Sequence, residues 1–155
     1  MPHIHEKIDF TVDVFIVFQN KVLIRKHEKY HKWLSVGGHI ELDENPNQAA
    51  LREVMEEVGL HVTLYNKNPT PNLNQPRYTE LIPPVYLNIH TISNTHQHMS
   101  HVYFAQATSN YISPQTDHEK DAECIWLTLE ELKKHSEIDH RIKFYAKKAL
   151  EVLGS

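Results

Sequence analysis

Residues 38–60, with the sequence GHIELDENPNQAALREVMEEVGL, constrain the fold more than any other stretch of this chain. Asn45 suits the N-cap of a helix, and Pro46 suits the first helical position, where a missing N–H costs nothing. Gly59 suits the position just after a helix, where the left-handed backbone is common. These residues predict a helix between Asn45 and Gly59.

The predicted helix carries an apolar stripe and a cluster of carboxylates. The stripe has the i, i+3, i+4, i+7 spacing of one helix face and consists of Leu51, Val54, Met55 and Val58. Glu53, Glu56 and Glu57 share a second face, which we expect to lie nearly opposite the stripe. Like charges at this spacing repel by roughly 0.2–0.5 kcal/mol per pair. Two explanations remain open: an acidic face in water, partly compensated by Arg52, or a site for a hard cation.

The glycine pair Gly37–Gly38, which comes shortly before the helix, favours the cation site. Paired glycines allow a tight backbone, which brings a carbonyl or an N–H group close to a ligand. Mg²⁺ prefers carboxylate oxygens and keeps several waters, so a site of this kind can bridge the protein to a phosphate.

The stretch 38–60 resembles the Nudix box, G-x5-E-x7-R-E-U-x-E-E-x-G-U, in which U is an aliphatic residue. Every fixed place is filled, by Gly38, Glu44, Arg52, Glu53, Val54, Glu56, Glu57, Gly59 and Leu60. The flanking sequences KWLSVGGHIE and ECIWLTLEEL are also similar to members of the family, although Val36 stands where many members have proline. The resemblance implies a single Nudix hydrolase domain over residues 1–155, folded as an α+β structure, an α/β/α sandwich with a mixed sheet.

The resemblance also implies an activity, the hydrolysis of a pyrophosphate bond in a nucleoside diphosphate linked to another group, with Mg²⁺ or Mn²⁺ as cofactor. It assigns metal binding to Gly38, Glu53, Glu56 and Glu57. Glu53 is expected to orient or deprotonate the attacking water. Arg52 is expected to hold the carboxylates in place, and Glu44 to anchor Arg52.

In some Nudix proteins a later loop supplies the general base. Glu119 is the candidate here, both as the base and as a further metal ligand. The alternative function is a catalytically silent Nudix module that senses a nucleotide or binds a partner. The intact box disfavours that alternative, because a silent copy would be free to lose its carboxylates.

Three residues outside the predicted helix are candidates for binding the nucleotide. Arg25 ends a predicted strand, where similar Nudix proteins place a basic residue against the nucleotide; the other interpretation is solvated surface. His39 follows the glycine pair and either touches a phosphate or caps the loop. We expect the proline- and asparagine-rich loop 66–79 to set substrate choice, with Arg25 or Tyr103 as the alternative source of specificity.

Four histidines lie close together in the sequence and near a predicted strand pair: His90, His96, His98 and His101. His98 and His101 point to opposite faces of a strand, whereas His96 and His98 could share a face. No cysteine or histidine-rich helix completes a zinc site in the sequence. We therefore expect solvated histidines or cross-strand polar pairs rather than a transition-metal site.

The rest of the chain predicts a compact arrangement of strands and helices. The strands are predicted at residues 10–18, 22–25, 61–65, 85–93, 98–108 and 123–127. Two further helices are predicted, one through LEEL after an N-cap at Thr128 and one at residues 140–153.

The composition limits the classes of partner. The formal net charge is −4 with no basic tract, which argues against binding nucleic acid through its phosphates. No apolar run reaches the length of a membrane span, and the N-terminus lacks the apolar segment of a signal peptide. The single cysteine, Cys124, is compatible with a reducing cytoplasm. The expected partner is a small-molecule nucleotide, and the sequence leaves open whether the chain forms a homodimer.

Overall fold

The protein is described by a computed structural model, which covers residues 3–117 and 122–155. Within these residues the strands are β1 (Ile8–Phe18), β2 (Lys21–His27), β3 (Lys32–Leu34), β4 (Val36–His39), β5 (Val62–Leu64), β6 (Tyr86–Ser93), β7 (His96–Ala107) and β8 (Cys124–Leu127). The helices are α1 (Pro46–Val58), α2 (Leu129–Lys134) and α3 (His140–Leu153).

The strands form one mixed sheet around β1. Strands β1 and β7 run parallel, from Ile8 opposite Gln97 to Val17 opposite Gln106. The other described pairs are antiparallel. Strand β4 pairs with the first half of β1, and β2 pairs with the end of β1. Strands β5 and β6 pair with β7, and β3 and β8 pair with β2. The mixed sheet and its helices confirm the predicted α+β class.

The two faces of the sheet carry separate apolar cores. Because side chains alternate along a strand, Val12 and Val14 of β1 pack on the side of α1, and Phe15 packs on the side of α3. Val54 belongs to the first core and Ala146 to the second, and all five side chains are fully buried. The result is the α/β/α sandwich that the resemblance implies.

Helix α1 has the predicted ends. The Asn45 side chain accepts a hydrogen bond from the N–H of Gln48, whose side chain bonds back to the Asn45 backbone in a capping box. Gly59 ends the helix with a φ of 67°, in the left-handed region that glycine adopts without strain.

The apolar face of α1 lies elsewhere than predicted. Leu51 is 45% exposed, whereas Val54 and Val58 are fully buried. Each buried valine directly follows a glutamate, Glu53 or Glu57, so the carboxylate face lies beside the apolar face and not opposite it. Both glutamates are buried as well, because this edge of the helix rests on the sheet.

The remaining elements follow the predictions with shifts of one or two residues at their ends. Strands β6 and β7 form the predicted pair on either side of Asn94–Thr95, and α3 spans 140–153 as expected. The chain that leads into the glycine pair forms two short strands, because Ser35 separates β3 from β4. None of the helices in the described ranges is long and apolar enough to cross a lipid bilayer.

Candidate active site

Arg52 joins the carboxylates of α1 to one another and to the chain before the helix. Its Nε donates to Glu44 Oε2 at 3.0 Å, and its Nη2 donates to Glu44 Oε1 at 2.6 Å, a two-point contact that matches the planar guanidinium. Its Nη1 donates to Glu53 Oε1 at 3.0 Å and to Glu56 Oε2 at 3.2 Å. Nη2 also donates to the carbonyl of His39 at 3.0 Å, which ties α1 to β4.

The pairing of Arg52 with Glu44 has a clear electrostatic effect. The hydrogen bond with Arg52 lowers the pKa of Glu44, and the same bond raises the pKa of Arg52. Both groups therefore remain charged, and the contact expected between them is present. Its contribution to catalysis stays a prediction.

Glu53 and Glu57 are buried carboxylates, 3% and 6% exposed. Burial raises the pKa of Glu53 to about 8, with a further increase from the charge of Glu57 and a decrease from Arg52. Burial also raises the pKa of Glu57 to about 7, although Arg25 and the N–H of Gly37 lower it. For these two residues, the interpretation as an acidic face in water is wrong.

The glycine pair in β4 lies directly against the two buried carboxylates. The N–H of Gly37 donates to Glu57 Oε1 at 2.8 Å. At Gly38, a Cβ atom would overlap the Glu53 carboxylate, so a side chain there would displace it. The Glu56 side chain is 41% exposed and faces solvent at the edge of the same cluster. Strand β4 and helix α1 thus bring together Gly38, Glu53, Glu56 and Glu57.

The chemistry of these residues fits a hard divalent cation. They offer carboxylate oxygens and backbone carbonyls, the donors that Mg²⁺ and Mn²⁺ prefer. Glu53 and Glu57 are costly to ionise on their own, as their raised pKa values show. A bound divalent cation would favour the charged form of both, so the carboxylates and the cation would stabilise each other.

Arg25 lies in the protein interior and not on a solvated surface. It is 4% exposed, and its Nη1 donates to Glu57 Oε2 at 2.7 Å. The surface interpretation is therefore wrong. A guanidinium buried to this extent offers little area to a nucleotide. The hydrogen bond between Arg25 and Glu57 instead supports a role for Arg25 in positioning Glu57.

Tyr103 is a core residue, so its position does not support the predicted contact with the nucleotide. It is 1% exposed because the odd-numbered residues in the second half of β7 face the core under α1. Its hydroxyl accepts a hydrogen bond from Asn47 Nδ2 at 3.2 Å. Burial raises the pKa of Tyr103 to about 12, so the hydroxyl stays protonated.

His39 also lies apart from the carboxylates. The His39 side chain points to the opposite face of β4 from Gly38, since neighbouring residues of a strand alternate. Its Nε2 lies 3.0 Å from Asp9 Oδ2 and its ring is 6% exposed, so the expected contact with a phosphate beside the carboxylates is not supported. Glu119 lies outside the residues that the structure describes.

Sequence reasoning missed a second polar cluster, on the opposite face of the sheet from the box carboxylates. It surrounds the buried Asp9 and includes His39, His96 and His98. Burial alone would raise the pKa of Asp9, but N–H groups at residues 4–5, followed by His39 and His96, hold it at about 2. Burial and the neighbouring rings lower the pKa of His98 to about 4. His96 is 4% exposed, so of the two expectations for it solvation is wrong, and a polar contact to the neighbouring strand, with Asp9, is present.

Comparison with known proteins agrees with this architecture. A family model described as the NUDIX domain matches residues 7–147. A solved NUDIX-family hydrolase from Clostridium perfringens is 38% identical, with a TM-score of 0.84 over 94% of this chain and 97% of that chain. Two more distant structures share the fold: the MutT protein of Methanosarcina mazei Go1 (13% identity, TM-score 0.68, 96% and 97% covered) and the Ap4A hydrolase of C. elegans (16%, 0.63, 94% and 98%). With a family match over most of its length and a relative of this identity, the chain belongs to the Nudix hydrolase family.

Proposed function

We propose that this Nudix hydrolase cleaves a pyrophosphate bond in a nucleoside diphosphate linked to another group, with Mg²⁺ as its cofactor. One observation supports this most directly: Glu53, Glu56 and Glu57 lie together beside Gly38, and Arg52 contacts two of the three carboxylates. We take residues 1–155 to be the single domain that carries the activity.

The charges around the cluster favour a cation over any other ligand. Three carboxylates face one region, while Arg52 is already shared among Glu44, Glu53 and Glu56. An anionic phosphate on its own would be repelled by this region. A divalent cation held by these carboxylates would offset their charge, so that a phosphate would no longer be repelled.

In the proposed mechanism Glu53, Glu56 and Glu57 would hold the cation, with a backbone carbonyl near Gly38. When bound, Mg²⁺ neutralises phosphate charge and lowers the pKa of the attacking water. Glu53 orients that water and accepts its proton, and the Arg52 hydrogen bond to Oε1 fixes the orientation of the carboxylate. Mn²⁺ can replace Mg²⁺, because both cations prefer oxygen ligands.

The substrate belongs to one of several nucleotide classes: nucleoside triphosphates, ADP-ribose, nucleotide sugars or dinucleoside polyphosphates. The last class is included because one protein of the same fold is named an Ap4A hydrolase. A small nucleotide substrate, rather than a nucleic acid, agrees with the net charge of −4. The cytoplasm is the proposed location, and a homodimer remains an open part of the proposal.

Two measurements test the proposal. The first incubates the full chain with each nucleotide class and Mg²⁺ or Mn²⁺ and identifies the phosphate products. The second compares cation affinity in the wild type, in Glu57→Gln and in Glu151→Gln, whose side chain is 44% exposed on α3. We expect hydrolysis of at least one class, with weaker cation binding in Glu57→Gln only.

Two outcomes would contradict the proposal. If no class is hydrolysed with either cation, a silent module that senses a nucleotide is the better description. If Glu57→Gln binds the cation as tightly as the control does, the box carboxylates are not the ligands.

A further inference from the structure

Four side chains on the opposite face of the sheet from the Nudix carboxylates have the geometry of a metal-binding set: His3, Asp9, His96 and His98. Each offers one ligand atom, and these atoms all lie within 4.8 Å of one another. They come from three parts of the chain, namely the segment before β1, the start of β1 and the start of β7. The parallel pairing of β1 with β7 places His98 directly opposite Asp9 and brings the set together.

The hydrogen bonds of His96 assign the proton on its ring. Its Nδ1 lies 3.1 Å from the carbonyl of Glu6, which can only accept, so Nδ1 carries the hydrogen. In the neutral ring, Nε2 then presents a lone pair, and this atom lies 3.2 Å from Asp9 Oδ2. Two electron pairs at that distance repel, unless the ring is protonated or a cation lies between them. A ring N–H bonded to a backbone carbonyl is also the usual support of a metal-binding histidine.

The oxygen Asp9 Oδ2 is crowded by imidazole nitrogens. His3 Nδ1 lies at 3.3 Å, His39 Nε2 at 3.0 Å and His96 Nε2 at 3.2 Å. The rings of His3 and His96 are 3.6 Å apart between centroids, so protonating both would place two positive charges in contact. One divalent cation satisfies the carboxylate and the nitrogens without that repulsion.

His98 supplies independent evidence for a ligand. Its Nε2 is buried and has no hydrogen-bond partner among residues 3–117 and 122–155. A buried polar atom without a partner is uncommon in a native structure, because its desolvation is not offset by a hydrogen bond. The ring of His98 lies 5.3 Å from that of His96 and 5.9 Å from that of His3, within the same cluster.

We propose that His3, Asp9, His96 and His98 bind one divalent transition-metal ion of the zinc type, separate from the Mg²⁺ proposed at the Nudix box. Three imidazole nitrogens and one carboxylate oxygen form a donor set that suits tetrahedral Zn²⁺ and is unlike the all-oxygen set of the box. Bond lengths of about 2.0–2.2 Å place tetrahedral donors roughly 3.3–3.6 Å apart, so separations of up to 4.8 Å shorten by at most about 1.5 Å on binding. His3 is 46% exposed on the terminal segment and can make that adjustment.

The surroundings hold the carboxylate of this set in place. Asp9 Oδ1 accepts hydrogen bonds from the N–H groups of Ile4 at 3.1 Å and His5 at 2.6 Å, which fold the terminal segment onto β1. His39 contacts the same carboxylate from β4 and acts as a positioning residue. Supporting contacts of this kind orient metal ligands and raise their affinity.

The test uses the full chain, stripped of metal and kept in excess Mg²⁺ so that the box carboxylates are occupied. Co²⁺ is added stepwise while the visible absorption of tetrahedral Co²⁺ is recorded, and Zn²⁺ affinity is measured by calorimetry. We expect one ion per chain, with affinity lowered at least about tenfold in His98→Ala and in His3→Ala. His61→Ala, at an exposed position after α1, is the matched control and should bind as the wild type does.

The variants separate this site from the Nudix box. His3 is exposed, so His3→Ala tests the ligand without removing a buried side chain, and circular dichroism checks the fold of each variant. Glu57→Gln should keep the tetrahedral Co²⁺ signal. The proposal is overturned if no tetrahedral signal appears, if His98→Ala and His3→Ala bind as His61→Ala does, or if the signal is lost in Glu57→Gln alone.

Discussion

At the scale of single residues, two arginines hold the carboxylates of the candidate active site in different ways. Arg52 is partly exposed and links Glu44, Glu53 and Glu56 through one guanidinium. Arg25 is buried and pairs with Glu57. Arg52 is therefore suited to setting the geometry of the carboxylates that face the cation. Arg25 offsets the burial of a single charge.

Replacing Glu53 with glutamine removes the charge while keeping the size of the side chain. We expect kcat to fall roughly a hundredfold or more, because positioned general-base catalysis contributes about 10²–10⁴-fold. Steady-state kinetics with the best substrate measure the loss, with Glu151→Gln as a control on the exposed face of α3. A loss below about tenfold, with circular dichroism unchanged, would assign the base to another residue, for which Glu119 is the candidate.

Replacing Arg52 with alanine frees the carboxylates that it joins. We expect kcat to fall more than KM rises, because misplaced metal ligands reduce transition-state stabilisation more than substrate binding. Arg52→Lys should recover little activity, since an ammonium cannot make the two-point contact with Glu44 and also reach Glu53. A raised KM with kcat unaltered would mean that Arg52 contacts the substrate directly.

At the scale of elements, local signals in the sequence predicted more than distant ones. The ends of α1 follow from Asn45 and Gly59, since a cap depends only on residues within one turn. The buried face of α1 could not be read in the same way. Leu51 fits the apolar spacing, yet the sheet decides which edge of a helix is covered, and here it covers Glu53 and Glu57.

In the candidate site, too, local contacts could be predicted from the sequence and long-range contacts could not. The contact between Arg52 and Glu44 follows from the motif, whereas the burial of Tyr103 depends on which face of β7 meets α1. The sequence showed the histidines at 96 and 98 but not their contact with Asp9, because His96 lies 87 positions away from Asp9 along the chain. Only the parallel register of β1 and β7 brings these residues together.

The loop 66–79 is the element for which we predict an effect on substrate choice. Its residues are mostly exposed. Ile82, which lies just after the loop, exchanges two backbone hydrogen bonds with the side chain of Asn47, at 2.8 and 2.9 Å. These bonds anchor the chain just after the loop to the first turn of α1, the helix that carries Glu53, Glu56 and Glu57. Replacing the loop with a short Gly/Ser linker should therefore change the ranking of kcat/KM among nucleotides while Mg²⁺ affinity persists.

A matched control is a Gly/Ser replacement of the exposed turn at residues 28–31, which should leave the ranking as it is. If the ranking survives replacement of the loop 66–79, specificity lies in another part of the chain.

At the scale of the whole molecule, the two buried glutamates predict how stability depends on pH without a divalent cation. Their pKa values are raised from 4.5 to about 8 for Glu53 and about 7 for Glu57, so the folded state holds protons that the unfolded state releases. This contribution to stability is fully present below about pH 4.5 and is lost as the pH rises through about 7 and 8. The shifts of Asp9 and His98 act in the other direction, but at lower pH.

We therefore expect the Tm measured in chelator to fall between about pH 6.5 and about pH 9. Excess Mg²⁺ should reduce that slope, because a bound cation stabilises the ionised carboxylates. The double variant Glu53→Gln, Glu57→Gln should show a flatter profile than the wild type without any cation. A Tm in chelator that rises over this window would contradict the assignment of the two raised pKa values.

The parallel pairing of β1 with β7 has a consequence for how the chain reaches its native state during synthesis. Asp9 emerges from the ribosome long before His96, which follows it by 87 positions. At about 5–20 residues per second, β1, which carries three fully buried valines, waits roughly 4–17 s for its longest partner, β7. During that interval β1 can pair only with β2 and β4. The edge of β1 that later pairs with β7 is therefore exposed in the nascent chain. Chaperone binding to this nascent strand, and the slow folding expected of long-range strand pairing, both follow from the distance along the chain between β1 and β7.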